Sequence, residues 1–300
     1  MGQKGAYHSG FCCVIGRPNV GKSTLLNALI GQKISIISNK PQTTRHQIHL
    51  IYTDERMQIV FLDTPGVQMP RNELGEVMFR MSRSALDGVD CALFVVDSSE
   101  RIGRLDQKIL EELDKVKGTP VIAVINKIDE ISADEAKALV ARFESMGRFA
   151  AVVPISAREE RNFEELLQQL YDHLPEGPQY YPEDMVTDRT ERFVISEIIR
   201  EKCLVHMQEE IPHGIYVEVD RMKEREGRPM FDIDATIYVE KASHKGMVIG
   251  SGGQMLGRIG KEARGEIETL LDARVNLKLW VKVEKDWRKK KATVRRFGFE

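Results

Sequence analysis

The sequence predicts an α/β domain built on a mostly parallel sheet with one antiparallel edge strand, followed by a smaller α+β domain. Three observations support this prediction. From residue 11 to about residue 174, apolar runs of strand length alternate with amphipathic runs of helix length, as in βαβ units. Only the short segment 53–56 joins two of these apolar runs, so this pair predicts a hairpin. Prolines at 175, 178 and 182 then interrupt any regular element, which predicts a linker.

The prediction for each element follows the hydrophobic periodicity. In the first domain the predicted strands are 11–15, 47–52, 57–62, 91–96, 121–125 and 151–154, and the predicted helices are 22–30, 73–86, 105–117, 133–146 and 163–173. Ser132 and Glu135 have the spacing of a capping box, as do Asp188 and Glu191. In the second domain we expect a helix at 191–206, strands at 215–221, 231–240 and 275–283, a glycine-punctuated segment at 244–260, and a helix ending at 271. The expected division is 1–175, a linker at 176–186, and 187–300.

Composition excludes several classes of protein. Hydrophobic residues make up 42% and charged residues 30% of the 300 positions, as in globular chains rather than disordered or fibrous ones. No apolar run approaches the ~20 residues of a membrane-spanning helix. The amino terminus does not resemble a secretory signal. Four cysteines without disulfide or zinc spacing favour a reducing cytoplasm.

Charge is unevenly distributed along the chain. Residues 241–299 carry 15 Lys and Arg against 6 Asp and Glu, whereas residues 183–240 carry 8 against 15. A basic run of this kind is either a solvated face or a surface that binds a polyanion. Charge alone leaves both readings open.

Residues 16–23 read GRPNVGKS, the GxxxxGKS pattern of a phosphate-binding loop between a strand and a helix. Gly16 and Gly21 allow backbone N–H groups to point at phosphate oxygens. Lys22 supplies charge for the β and γ phosphates, and the Ser23 hydroxyl is suited to ligate Mg²⁺. The residues expected to contact the nucleotide here are Gly16, Arg17, Pro18, Asn19, Val20, Gly21, Lys22, Ser23 and Thr24.

Three further motifs complete a guanine-nucleotide site. Asp63, Thr64, Pro65 and Gly66 follow a strand, with the carboxylate expected on the magnesium side and the Gly66 N–H on the γ-phosphate. Asn126, Lys127 and Asp129 follow the strand 121–125, and Ser156, Ala157 and Arg158 follow the strand that ends at residue 154. The Asp129 carboxylate is able to accept hydrogen bonds from guanine N1–H and the exocyclic amine, whereas adenine offers a bare acceptor at N1. Guanine is therefore favoured, because the wrong base leaves a polar group unpaired.

These motifs, in this order and spacing, resemble those of the translation-factor-related GTPases. GRPNVGKS together with PQTTRH at 41–46 and DTPG at 63–66 resembles the bacterial Era family in particular, over essentially the whole chain. The resemblance implies a Ras-like P-loop GTPase fold that binds GTP or GDP with Mg²⁺. It also implies a first switch at 41–45, in which a threonine completes the magnesium sphere. We favour Thr44 over Thr43, so the expected metal ligands are Ser23, Thr44 and Asp63.

Hydrolysis by Ras-type enzymes uses a glutamine directly after the DxxG motif to orient water, but this chain has Val67 there. We therefore expect slow intrinsic turnover, with Lys22, Asn19, Thr44 and Gly66 as the catalytic set. In related GTPases with a PNxGKS loop, the asparagine holds K⁺, so the resemblance implies the same for Asn19. The alternative is that Asn19 only shapes the loop.

The second domain contains a GxxG, residues 250–253, within its basic segment. A helix, two strands, a helix, the GxxG, a helix and a strand is the order of a type II KH domain, whose loop clamps about four nucleotides of single-stranded RNA. The residues expected to bind RNA are Lys245, Ile249, Gly250, Ser251, Gly252, Gly253, Arg258 and Lys261. Ile249 and Ile259 fit equally well in the domain core. The basic tail 288–296 is suited to RNA phosphates or to an anionic membrane.

Resemblance to the Era family implies a particular partner, the 3′ end of 16S ribosomal RNA, during maturation of the small (30S) ribosomal subunit. It further implies a cytoplasmic monomer without a DNA partner, leaving open peripheral contact with the inner face of the cell membrane. The alternative function is a membrane-associated signalling GTPase that couples growth to cell division.

Overall fold

The computed structural model describes residues 6–38, 40, 42–99 and 102–299. The chain divides into two compact units. The first unit comprises Met1–Ser35, Thr44–Met69 and Met78–Asp188, and the second comprises Ile36–Thr43, Pro70–Val77 and Arg189–Glu300. Two short segments from the first half of the chain, 36–43 and 70–77, therefore belong to the second unit. Pro41, the first residue of the PQTTRH motif, lies outside the described residues.

Strands and helices alternate through residue 173, as predicted. The elements are β1 (His8–Ile15), α1 (Lys22–Ile30), β2 (Ile48–Thr53), β3 (Met57–Asp63), α2 (Glu73–Ser84), β4 (Cys91–Val96), α3 (Arg104–Leu113), β5 (Val121–Ile125), α4 (Ala133–Glu144), β6 (Ala151–Pro154) and α5 (Phe163–His173). The predicted bounds of α1, α5, β4, β5 and β6 are confirmed, whereas α2, α3 and α4 end two to four residues earlier than predicted. The capping box of Ser132 and Glu135 is confirmed at the start of α4.

The first unit is built on a six-stranded sheet in the order β2-β3-β1-β4-β5-β6. β2 runs antiparallel to β3, and the other neighbours are parallel, which confirms the mostly parallel sheet with one antiparallel edge. Every residue of β3 and β4 is buried, as expected for strands covered on both faces. The carboxyl ends of the parallel strands meet at one edge, where ligands bind in folds of this type.

Residues 176–187, which include the predicted linker, lie along the strands of the first unit. The N–H of Gly177 donates to Tyr7 O at 3.0 Å, and the N–H of Ile51 on β2 donates to Val186 O at 2.9 Å. The side-chain oxygen of Gln58 on β3 accepts hydrogen bonds from the backbone of Tyr180 and Tyr181. This segment is therefore hydrogen-bonded at both of its ends.

The second unit contains α6 (Glu191–His206), β7 (Tyr216–Glu224), β8 (Met230–Val239), α7 (Ala242–Ile249), α8 (Gln254–Leu271), β9 (Arg274–Val283) and α9 (Lys291–Arg296). Its sheet has the order β7-β8-β9, with β7 and β8 antiparallel and β8 and β9 parallel. This is the topology of a type II KH domain, as predicted. The glycine-punctuated segment is mostly helical, because α7 and α8 leave only residues 250–253 between them.

The predicted capping box of Asp188 and Glu191 is wrong. Thr190 caps α6, where its side chain accepts a hydrogen bond from the N–H of Phe193. Asp188 instead contacts His49 within the first unit, at 2.8 Å. A tertiary contact therefore competes with the local motif for this carboxylate.

The basic tail forms internal contacts that the sequence did not predict. Arg288 pairs with Glu240 at 2.6 Å, and Arg296 pairs with Glu284 at 2.8 Å. Trp287 is fully buried, and its indole N–H donates to Gly214 O at 2.8 Å. The tail is thus anchored by an aromatic side chain and by ion pairs. Among the described residues, no helix is both long and apolar enough to cross a bilayer.

Candidate nucleotide-binding and RNA-binding sites

The phosphate loop joins the end of β1 to the start of α1, and two of its residues must be glycine. A Cβ on Gly16 would lie 2.3 Å from the carbonyl oxygen of Val95 on β4. Gly21 has φ of +98°, and a Cβ there would lie 2.2 Å from Nδ2 of Asn126. No other residue fits these positions without moving backbone or neighbouring groups. Thr24 follows, half-buried, in the first turn of α1.

Lys22 curls back over this loop. Its ammonium donates to Gly16 O at 3.2 Å and to Arg17 O at 3.0 Å. Burial lowers the pKa of Lys22 to about 8, against the opposing effect of the Asp63 carboxylate. The charge lies where a phosphate-binding loop presents a lysine to the β and γ phosphates.

Three oxygen donors meet beside Lys22. Ser23 Oγ lies 3.0 Å from Thr44 Oγ1 and donates to Asp63 Oδ2 at 3.1 Å. The other oxygen, Asp63 Oδ1, is buried without a hydrogen-bond partner among the described residues. Burial raises the pKa of Asp63, while Lys22 and two hydroxyl groups oppose that shift. Two hydroxyls and a carboxylate with one unused oxygen fit the hard oxygen ligands that Mg²⁺ prefers.

The neighbouring threonine has other partners. Thr43 Oγ1 donates to the carbonyls of Lys40, at 2.6 Å, and Ser38, at 3.3 Å. Of the two candidates, the structure brings Thr44 to Ser23.

The DTPG segment lies directly against the phosphate loop. A Cβ on Gly66 would lie 2.8 Å from the nitrogen of Pro18, and the N–H of Val67 donates to Gly16 O at 3.2 Å. Thr64 donates to Val14 O at 2.8 Å, and Pro65 O accepts from Ser82 at 2.7 Å. These bonds hold the segment beside the phosphate loop at the end of β3.

The Val67 side chain is only 5% exposed and packs in the hydrophobic core. It therefore points away from any water beside the phosphate loop. Asn19, in contrast, is exposed, with φ of +67°. Arg17 contacts two carboxylates, Asp97 at 3.1 Å and Asp106 at 2.8 Å.

Asn126 ties the remaining loops to the phosphate loop. Its side-chain N–H₂ donates to Val20 O at 2.9 Å, and its oxygen accepts from the N–H of Ala157 at 2.9 Å. Ser156 Oγ donates to Asp129 Oδ1 at 2.6 Å. This bond is the main cause that lowers the pKa of Asp129, so the carboxylate is held ionised. Lys127 adopts φ of +66°. Arg158 is exposed, and its charge also lowers the pKa of Asp129.

Two residues that support this site were missed in the sequence. Ser35 Oγ donates to Asp63 Oδ2 at 2.9 Å. Asn27 on α1 donates to Ser35 O at 2.6 Å, and its oxygen accepts from the N–H groups of Ile34 and Ser35. The one available signal was a polar residue, Asn27, on the apolar side of a short helix.

A groove of about 450 Å³ lies beside the glycine loop of the second unit. Its lining comes from α8, from β9 and from the loop itself: Gly253, Leu256, Gly257, Gly260, Lys261, Arg264, Leu277 and Leu279. The leucines give it an apolar floor, and Lys261 and Arg264 add positive charge. Leu256, Arg264, Leu277 and Leu279 were missed in the sequence, although the alternating apolar residues of the last strand were a usable signal.

The loop glycines have conformations that other residues rarely adopt. Gly250, Gly252 and Gly253 have φ of +73°, +56° and +80°. A Cβ on Gly250 would lie 2.7 Å from Cβ of Met255, whereas Cβ atoms on Gly252 and Gly253 would meet none of the residues that the structure describes within 4 Å. The outer part of the loop is therefore open to a close approach by another molecule.

The other predicted RNA-binding residues divide into three groups. Lys245 and Ser251 are exposed, and Ile249 is half-buried. Ile259 is fully buried, so its role is in the core. Arg258 lines a different groove, of about 910 Å³, which also contains Glu262 and Glu266.

Comparison with known proteins agrees with this geometry. A family profile described as "50S ribosome-binding GTPase" matches residues 11–127, and a KH-domain profile matches residues 210–288. The chain is 50% identical over 295 residues to GTPase Era of Alkaliphilus metalliredigens, covering 98% of this chain and 100% of that protein. It is 49% identical to GTPase Era of Clostridioides difficile, covering 98% and 99%.

Two solved structures are similar over nearly their whole length. One is Era in complex with MgGDPNP and nucleotides 1506–1542 of 16S ribosomal RNA, with a TM-score of 0.94, 39% identity and coverage of 98% of this chain and 99% of that one. The other is a variant of Aquifex aeolicus Era bound to GDP·AlF4⁻, with a TM-score of 0.93, 40% identity and coverage of 97% and 99%. With this likeness over both domains, the chain belongs to the Era family of GTPases, enzymes that hydrolyse GTP.

Proposed function

We propose that this GTPase is a molecular switch that binds single-stranded RNA near the 3′ end of 16S ribosomal RNA and assists maturation of the small ribosomal subunit in the cytoplasm. The groove beside the open glycine loop carries this proposal. A relative similar over both domains is described in complex with nucleotides 1506–1542 of that RNA. The apolar floor of the groove suits unpaired bases, and its positive charge suits phosphates. The glycines have no side chains, so the RNA backbone is able to approach closely.

In the proposed nucleotide site, Ser23, Thr44 and Asp63 hold Mg²⁺. One Asp63 oxygen that has no partner within the described part of the chain, together with the adjacent hydroxyls, supports this assignment. When bound, the metal neutralises charge on the β and γ phosphates. Lys22 adds a second positive charge, and the Gly66 N–H binds the γ-phosphate. Loss of the γ-phosphate removes the contacts that hold Thr44 and Gly66, so both segments are released.

Asp129 is the proposed determinant of the base. The Asp129→Asn substitution is expected to weaken GTP binding, because the new amide donates where the guanine amine also donates. Binding of xanthosine triphosphate is expected to improve, because xanthine has a carbonyl oxygen in place of that amine. Affinities of both nucleotides for the two proteins test this. Asp134→Asn, at an exposed position on α4, is the matched control. Unchanged preference in the Asp129 variant would remove the assignment.

Turnover is proposed to depend on K⁺ held by Asn19, since no glutamine follows the DxxG motif. Rates in KCl and NaCl buffers, with and without Asn19→Ala, measure this dependence. We expect faster turnover in KCl only for the unsubstituted protein. Equal rates in all four conditions would leave Asn19 with a role in loop shape alone.

The RNA proposal is tested with a single-stranded oligonucleotide that has the sequence of the 16S 3′ end. Lys261→Met and Arg264→Met are expected to weaken binding, and each to reduce the salt dependence by about one released counterion. Lys285→Met, an exposed change in the same basic segment, is the control for net charge. If all three variants bound the oligonucleotide as tightly as the unsubstituted protein, the groove would be excluded as the RNA site.

The RNA partner in cells is identified by crosslinking and sequencing of the bound RNA. Enrichment at the 16S 3′ end supports the proposal, and an even spread over unrelated transcripts overturns it. Flotation with anionic vesicles in the presence of competing RNA tests the membrane alternative. Vesicle binding that RNA does not displace would favour the signalling function.

A further inference from the structure

Helix α6 carries a row of buried charged residues in the second unit. The side chains of Glu197, Arg200 and Glu201 are 7%, 2% and 4% exposed. Arg200 donates to the Glu197 carboxylate from Nε, at 2.7 Å, and from Nη2, at 2.6 Å. Burial of charges is costly unless each is paired with good geometry. This row therefore stabilises the fold less than a simple apolar contact would.

The row holds backbone groups of segment 36–43, which belongs to the same unit. Arg200 Nη2 donates to the carbonyl of Thr43, and Glu201 Oε1 accepts from the N–H of Ile37 at 2.9 Å. The contacts are made to backbone atoms, so they fix the path of the chain.

The Thr43 carbonyl is half of the peptide group that continues to Thr44. A peptide group is planar, so a hydrogen bond to the carbonyl of Thr43 also orients the N–H and Cα of Thr44. Thr44 is the residue whose hydroxyl lies 3.0 Å from Ser23. One guanidinium, paired with Glu197 on its own helix, therefore fixes the peptide plane from which the Thr44 side chain projects.

We propose that Arg200 is a positioning residue for the GTPase reaction, which acts by orienting the Thr43–Thr44 peptide so that the Thr44 hydroxyl faces the magnesium site. This inference rests on the proposed role of Thr44. The forked guanidinium suits the task, because it binds Glu197 and the Thr43 carbonyl at the same time, whereas an ammonium is a point charge without that geometry.

The test measures GTP turnover and the binding of GDP and of a non-hydrolysable GTP analogue with Mg²⁺. Arg200→Met is expected to lower kcat and analogue affinity by about tenfold, within the usual range of coupling between sites. GDP affinity is expected to stay within about twofold, because GDP has no γ-phosphate for the Thr44 side of the site. Arg200→Lys is expected to recover part of the loss. Arg192→Met, an exposed change on the same helix, is the control.

Removal of Arg200 alone takes a positive charge away from the buried Glu197 carboxylate, so the variant risks misfolding. Glu197→Gln with Arg200→Met removes both charges and keeps the test available. The same selective loss of kcat and analogue affinity is expected, with an unchanged melting temperature for the first unit. Unaltered turnover in a folded Arg200 variant would overturn the inference.

Thr44→Val separates this inference from the proposal on which it rests. If Thr44→Val spares analogue and Mg²⁺ binding, the assignment of Thr44 fails, and the inference fails with it. If Thr44→Val lowers both but Arg200→Met does not, the inference alone fails. In the double variant we expect no loss beyond that of Thr44→Val, because Arg200 acts through Thr44; additive losses would show independent roles.

Discussion

Asn126 donates its side-chain amide to the carbonyl oxygen of Val20, at 2.9 Å. The same side chain accepts from Ala157, so one carboxamide joins three loops that come from distant parts of the chain. The Asn126 amide leaves no room for a Cβ on Gly21. The contact therefore also explains why the phosphate loop needs glycine at that position.

Asn126→Ala is expected to weaken GDP binding by roughly 5–150-fold. The estimate follows from two lost hydrogen bonds of about 0.5–1.5 kcal/mol each. Titration calorimetry with GDP measures the effect. Asn276→Ala, which removes an amide that donates to Asp232 in the second unit, is the control and should leave GDP affinity unchanged. Equal affinity of the Asn126 variant would mean that the loops hold their positions without this side chain.

Val67→Gln is expected to lower stability without raising GTP turnover. The Val67 side chain is 5% exposed in an apolar core, so a buried amide without partners costs about 1–3 kcal/mol. Urea denaturation and single-turnover rates measure the two effects. Met69→Gln, at a position 61% exposed, is the control and should be silent in both. Accelerated turnover in the Val67 variant would show that the new side chain leaves the core and orients water.

The four thiols are expected to resist modification in the folded protein. All four are fully buried, and burial raises the pKa of Cys203 to about 12 and that of Cys12 and Cys13 well above its ordinary value of 9.0. Maleimide labelling at pH 8 should therefore modify none of them before unfolding and all four afterwards. Fast labelling of the native protein would contradict this.

The raised pKa values of Cys12, Cys13 and Cys203 make the free energy of unfolding depend on pH. Above pH 9 the unfolded chain releases thiol protons that the folded chain retains, so the folded state binds more protons and the free energy of unfolding falls as pH rises. Their stabilising contribution is complete below pH 9. Replacement of Cys203 by alanine should flatten the decline measured between pH 9 and pH 11 by urea denaturation. An unchanged slope would mean that other groups cause it.

Trp287→Ala is expected to destabilise the second unit by about 3–5 kcal/mol, as for other buried aromatic side chains. Trp287 is fully buried and bonded to Gly214, and it packs against Phe297 and Phe299. Trp280 is 58% exposed, so Trp280→Ala should change stability by less than about 0.5 kcal/mol. Denaturation followed by circular dichroism compares them. Similar losses in both would contradict the anchoring role of Trp287.

Sequence reasoning succeeded where structure is decided locally. The glycines at 16 and 21, the alternation of strands and helices, and the helix bounds of α1 and α6 follow from short-range sterics and periodicity. The approach of Ser23 to Asp63 followed from the fold, because the carboxyl ends of parallel strands share one edge. The prediction for Thr44 came from the family resemblance instead, since this residue precedes the antiparallel strand β2.

The remaining features depend on contacts between distant residues. The bond from Ser35 to Asp63 and the bond from Arg200 to the carbonyl of Thr43 require a tertiary approach that no spacing encodes. The periodicity predicted helix α6 but not the burial of four of its charged residues, which are Glu197, Arg200, Glu201 and Lys202. The tail was predicted as a basic surface for RNA phosphates or an anionic membrane. Its anchoring is decided by Trp287 and its aromatic neighbours, while most of its basic side chains stay exposed.

The hydrogen bonds from Ile51 to Val186 and from Thr187 to His49 cover the outer side of β2, the first strand in the order of the larger sheet. An uncovered strand edge is a template on which other chains aggregate. A protein cut at residue 175 would expose that edge, whereas one extended to residue 188 would keep it shielded. The stretch that leads to the second unit thus also protects the first from self-association.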